Sequence, residues 1–197
     1  MTGVEQPFLL VVEDVFVRHQ GRAIAAAGAI VRGWVRPGAE VEIVGSDRNV
    51  TVQVVGIDAA GPRTARIDGA GAGMNVALLL PGTCAVERGH VLATPGSIGA
   101  HRTFGAEIAV LPEHQGGSEV PADDLLAFCI RSGAVRGVVT LPAGMDVLHP
   151  AHAAQVTVTL ERSVALEVGQ DFAFRRRGRA AGSGRVTRLP GTGTWSG

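Results

Sequence analysis

Residues 38–57, GAEVEIVGSDRNVTVQVVGI, decide the fold class. Across Glu40, Val41, Glu42 and Ile43, acidic and apolar side chains alternate with a period of two. That period places one face of an extended strand in a core and the other in water. Gly45, Ser46 and Asp47 then supply turn chemistry, and TVQVVGI nearly repeats the alternation. Two short alternating runs joined by such a turn predict paired strands rather than a helix.

The same pattern extends in both directions. Turn signals recur at Gln20-Gly21, Arg36-Pro37-Gly38, Gly61-Pro62, Pro81-Gly82 and Pro95-Gly96. Between them, residues 8–12, 40–44, 50–57 and 76–80 have strand character, and a second series covers 103–111, 125–131, 134–141, 154–160, 171–175 and 185–189. No run of ten or more residues carries a 3.6 period. Regular short strands without helices predict an all-β protein built from barrels or sandwiches. The small and polar joint at 96–101 divides the chain into a first unit, 1–97, and a second, 98–189. Residues 190–197, Gly, Ser and Thr around Trp195, read as a flexible tail.

Composition narrows the function classes. Of 197 residues, 46% are apolar and 18% charged, enough apolar side chains to build a core and too many for disorder. Eighteen basic residues balance eighteen acidic ones, which excludes a protein held on DNA or RNA by bulk charge. All eighteen basic residues are Arg; the chain has no Lys and no Tyr. Cys84 and Cys129 stand apart without a CxxC partner, so a reducing compartment is expected rather than a disulfide framework. The N-terminal apolar run has no basic segment before it and is broken at Glu13 and Asp14, unlike a signal peptide. No stretch reaches the ~18 apolar residues of a membrane helix. A soluble, cytoplasmic protein with no membrane and no DNA partner is the expectation.

Few constellations suggest chemistry. His149 and His152 are three apart, but Pro150 between them predicts a loop, with Asp146 the only nearby third ligand. A surface turn rather than a metal site is expected there. Both cysteines read as small core residues. Nucleophile elbow, paired catalytic carboxylates and dinucleotide loop are all missing. The chain is therefore expected to be no enzyme and to need no cofactor. Charge is uneven in sequence: residues 107–124 hold five acids and no Arg, and residues 175–188 hold six Arg and no acid. Arg175, Arg176, Arg177 and Arg179 form either a stripe for an anionic partner or the charged face of a solvated edge strand.

Longer motifs carry a resemblance. PFLLVVEDVF at 7–16, GRAIAAAGAIVRGWVRPGAEVEIVG at 21–45, GAGMNVALLLPG at 71–82 and VERGHVLATPGSIGAH at 86–101 resemble the second domain of elongation factor Tu. That family reads P-F-L-L-x-I-E-D-V-F, G-x-E-V-E-I-V-G, A-G-x-N-V-G-x-L-L-R-G and R-G-Q-V-L-A-x-P-G at these places. The likeness runs on into the family's third domain through 103–117, 137–152 and 156–186, in family order, so that residues 6–189 are covered. It implies two antiparallel β-barrels in tandem. The family's GTPase domain precedes those barrels, and here Met1 stands six residues before Pro7. Without any Lys, the phosphate loop G-x-x-x-x-G-K-S/T cannot be written in this chain, so GTPase activity is expected to be absent.

In the family, a groove on the second domain receives the aminoacylated 3′ end of tRNA, and some antibiotics dock there. The resemblance assigns Glu13, Arg22, Asp58 and Asn75 to this groove, with Asp58 standing where the family has Glu. Each also has a plainer reading: Glu13 and Arg22 as a cross-strand ion pair, Asn75 as a left-handed turn residue after Gly73, Asp58 as a loop cap. Family basic and aromatic residues of the third domain give way to Glu119, Asp123 and Asp124, acids that would repel phosphates. Two readings follow. One is a non-enzymatic module that engages a translation component, either the aminoacyl end of tRNA or a translation-factor protein. The other is a protein-interaction or antibiotic-sequestering mimic of the factor that ignores tRNA. A GTPase domain supplied in trans, or self-association through an apolar patch that includes Trp34, would fit either reading.

Overall fold

The computed structural model describes residues 6–46, 48–60 and 65–191, so Trp195 and most of the tail lie outside the described residues. The chain divides into two compact units, Met1–Gly99 and Ala100–Gly197. Among the described residues, ten strands belong to the first: β1 Leu9–Arg18, β2 Ala23–Arg32, β3 Trp34–Val35, β4 Glu40–Val44, β5 Val50–Gln53, β6 Gly56–Ala59, β7 Ala65–Ile67, β8 Ala70–Gly71, β9 Asn75–Pro81 and β10 Val91–Ala93. Eight of the described strands belong to the second: β11 Gly99–Val110, β12 Val120–Pro121, β13 Leu125–Ile130, β14 Gly133–Thr140, β15 Val147–Leu148, β16 Ala153–Leu166, β17 Asp171–Arg176 and β18 Arg179–Arg188. The all-β architecture matches the expectation. Among the described residues, no helix is long and apolar enough to cross a membrane.

In the first unit, an eight-stranded antiparallel sheet has the order β5-β4-β10-β1-β2-β9-β6-β7. Its ladder runs from β5 at one side to β7 at the other, and β5 and β6 are successive pieces of one stretch of chain. The run 50–57, read above as a single strand, changes partner at Val54-Val55. The N–H of Val54 donates to the Ala39 carbonyl at 2.9 Å, whereas that of Val55 donates to the Leu79 carbonyl at 2.7 Å. The two sides of the sheet are thus joined through the backbone. Val54 is buried and Val55 exposed, and Ile57 returns to the core, so the inward phase slips by one residue at the switch. Leu10, Val12, Ile30, Ile43, Leu78 and Leu92 fill the space inside.

The second unit is a closed barrel of order β11-β16-β14-β13-β17-β18. Phe104, Phe128, Phe172 and Phe174 occupy its centre, with Phe172 edge-on to both Phe104 and Phe128 at 5.8 Å between ring centroids. Such pairs add ~0.5–1.5 kcal/mol beyond area burial. Gly182 and Gly184 on β18 lie against the Phe174 and Phe172 rings, where any Cβ would collide with them. The glycine-rich sequence of β18 therefore answers to the large rings of β17. In β13 the inward residues are Leu126, Phe128 and Ile130. Cys129 consequently sits on the outer phase, half-buried, and not in the core as expected; Cys84 packs against the first core.

Candidate functional site

A β-bulge creates the site. Strand β1 pairs with β2 as Val12 opposite Gly28 and Asp14 opposite Ala27, which leaves Glu13 as the extra residue. One extra residue reverses the side-chain phase along the rest of the strand. Before the bulge, Phe8, Leu10 and Val12 face the core; after it, Val15 does. Phe16, which an unbroken alternation would bury, is instead 43% exposed. At Gly28 a Cβ would overlap the Val11 carbonyl and approach the Glu13 nitrogen to 3.3 Å, so only glycine lets β2 come this close to the bulge.

Beside the bulge, four adjacent strands, β1, β2, β9 and β6, form a concave surface of about 330 Å³. Glu13, Phe16 and Arg18 line it from β1, Ala27 and Gly28 from β2, Asn75 to Ala77 from β9, and Asp58 to Ala60 from β6 and its end. The register explains the concavity. Ala27 pairs with Ala77 and Ala77 with Asp58, so two methyl groups lie between β1 and the Asp58 carboxylate. Three strand spacings separate β1 from β6, roughly 14 Å.

The structure brings together three of the four residues that the resemblance assigns to the groove: Glu13, Asp58 and Asn75. Arg22 does not line it. Ala23, the next residue, pairs with Arg18 at the far end of the hairpin, and Ala27 is five residues beyond Arg22, ~17 Å along the strand. A Glu13–Arg22 ion pair is accordingly not formed. The cation in the groove is Arg18, whose guanidinium carbon stands 5.5 Å from the centroid of the Phe16 ring. Sequence reasoning passed over both Phe16 and Arg18. The signal that could have found them is the adjacent pair Glu13-Asp14 inside an apolar strand, where a bulge resets the phase.

Polar groups in the groove differ in how far they are committed. Asp58 Oδ1 accepts from Arg66 Nε at 3.1 Å, and the two residues are cross-strand partners on β6 and β7. It is therefore a strand residue in an ion pair and not a loop cap. Asn75 is the first residue of β9, and its carbonyl accepts from the Ala60 N–H at 3.1 Å. The left-handed turn position belongs to Gly73, with φ 85°. Among the described residues, the Glu13 carboxylate and the Asn75 carboxamide form no hydrogen bond or ion pair, and Arg18 forms no ion pair.

Two members of the arginine cluster have defined places in the hairpin. Arg176 pairs through Nε with the Asp124 carboxylate, while Arg177 and Gly178, both at positive φ, make the two-residue turn between β17 and β18. Positive φ at both positions defines the hairpin turn suited to twisted strands. Both strands are paired on each side within the barrel, so neither is a solvated edge. The acidic and basic segments meet in the fold: Glu107, Arg185 and Asp171 are in register across β11, β18 and β17. Arg185 holds Asp171 through two hydrogen bonds of 2.6 and 3.1 Å. Those bonds hold the Asp171 carboxyl below its usual range and raise the Arg185 guanidinium.

His149 and His152 flank a turn at Pro150-Ala151, and His149 Nδ1 contacts the Glu119 carboxylate at 3.0 Å. Trp34 is 56% exposed and lies against Gly69 and Gly71 of its own unit, where a Cβ on either glycine would meet the indole.

Residues 97–190 match the family model described as the elongation factor Tu C-terminal domain. The closed barrel is thus similar to the C-terminal domain of elongation factor Tu. It agrees with the part of the resemblance that falls on the second unit.

Proposed function

We propose that the chain is a non-enzymatic module of translation, and that the groove on its first unit receives the aminoacylated 3′ end of tRNA. The observation that carries this reading is the convergence of Glu13, Asp58 and Asn75, 62 residues apart at the extremes, on one concave surface. A carboxylate and a carboxamide without intramolecular partners suit the ammonium, ester and ribose groups of an aminoacyl end. The exposed Phe16 ring offers a stacking face for a base or an apolar side chain. The likeness of residues 97–190 to the elongation factor Tu C-terminal domain supports a role in translation for the second unit as well.

The third-domain acids weigh less against tRNA than their sequence suggests. Glu119 contacts His149, and Asp124 is paired with Arg176, so two of the three acids have cationic or ionisable neighbours. Fluorescence anisotropy of aminoacylated against deacylated tRNA, with the full chain at low and physiological salt, tests the proposal. Tighter binding of the charged form, lost on Asn75→Ala, is the expected result. Binding that ignores charging and disappears with salt would leave only nonspecific attraction to the arginines, and the mimic reading would take its place.

A further inference from the structure

Arg18 and Glu13 share the groove without pairing to each other. Opposite charges in one small cavity ordinarily neutralise one another if they can reach. Here the strand holds them apart: Glu13 occupies the bulge and Arg18 lies five residues on, beyond Phe16 and over its ring. The groove therefore presents a free carboxylate and a free guanidinium, with a carboxamide on the opposite side. A ligand that bears one positive and one negative group can satisfy both at once, whereas a singly charged ligand leaves one of them unmatched.

We propose that Arg18 is a specificity-determining residue that makes the groove prefer aminoacyl ends with an acidic side chain, aspartyl or glutamyl. This rests on the aminoacyl-end reading above and names the substrate class of that same site. The α-ammonium goes to Glu13, and the side-chain carboxylate goes to the Arg18 guanidinium. A planar guanidinium binds carboxylate through two parallel hydrogen bonds, and stacking on Phe16 restricts the orientations it must give up. The same arrangement disfavours lysyl and arginyl ends, whose second cation would face Arg18.

The probes are stable 3′-amide analogues of aspartyl-, alanyl- and lysyl-adenosine, titrated calorimetrically into the full chain and into its Arg18→Ala and Arg18→Glu variants. Arg18 is exposed and stands over an exposed ring, and circular dichroism of each variant checks that the fold is kept. The expected order for the natural chain is aspartyl tightest, about tenfold over alanyl, and lysyl weakest. Arg18→Ala removes the difference between aspartyl and alanyl, and Arg18→Glu reverses the order in favour of lysyl. Equal binding of the three probes would overturn the role of Arg18 and leave the groove reading standing. Absence of binding by all three would overturn the groove reading and this inference with it.

Discussion

Asp58 and Arg66 face each other across β6 and β7, and their 3.1 Å ion pair commits one of the groove's two carboxylates. The Arg66 guanidinium also lies against Gly56, whose missing side chain leaves it room. Together with Glu13 and Arg18, the pair leaves the groove near electrical neutrality.

Arg66→Ala would shift that balance by one unit toward negative. Arg66 is 54% exposed and Asp58 16%, so the cost in stability is modest, about 0.5–1 kcal/mol. Binding changes in a definite direction. An alanyl-adenosine analogue, whose only charge is its ammonium, binds a few-fold tighter to the variant at low salt, and the gain fades as ionic strength rises. Calorimetry at two salt concentrations reads both effects. An unchanged or weakened affinity would show that Asp58 serves the groove through its orientation on Arg66 and not through its charge.

Gly28 ties the shape of the groove to the stability of the first unit. A methyl group there meets backbone, the Val11 carbonyl and the Glu13 nitrogen, which cannot swing aside like a flexible side chain. Gly28→Ala is therefore expected to cost ~1–3 kcal/mol, the range for forcing extra volume into a packed site. Urea unfolding measures it as a lower midpoint with an unchanged slope. Because relief requires β1 to move at the bulge, aminoacyl-adenosine binding falls in the same variant even under conditions where it is fully folded.

How far sequence revealed this arrangement depends on what each residue has at stake. Glu40 to Val44 was legible because its acids and valines differ sharply in cost on the two faces of the sheet. Strand β2, AIAAAGAIVR, gave no such signal: alanine is tolerated on either face, and Ala25 and Ala26 are both buried. The N-terminal half of β18 was hidden because its glycines are set by the Phe172 and Phe174 rings, a constraint that comes from another strand. In the groove, Glu13, Asp58 and Asn75 were found through the resemblance, whereas Phe16 and Arg18 depend on a bulge whose phase reversal no periodicity count includes. Arg22 falls outside the groove for a different reason, since motif adjacency does not measure distance along a hairpin.

The Asp171–Arg185 pair gives the second unit a definite acid response. Asp171 has a folded-state pKa below its unfolded value, chiefly through its hydrogen bond to Arg185. A depressed carboxylate contributes stability above its unfolded pKa, and that contribution is lost as pH falls through the folded value. Replacing Asp171 by Asn removes the charge but keeps the shape. The natural chain should therefore melt above Asp171→Asn at neutral pH, and the two melting temperatures should converge as pH drops below the ordinary carboxylate range, near 4 and lower. Both partners are more than 60% exposed, so the gap is small and closes in high salt at neutral pH. Thermal melts of the two proteins over pH 2–7, at low and high salt, measure it. A gap that persists at pH 2 would mean that Asp171 stabilises the barrel through the hydrogen bonds its neutral form retains and not through its charge.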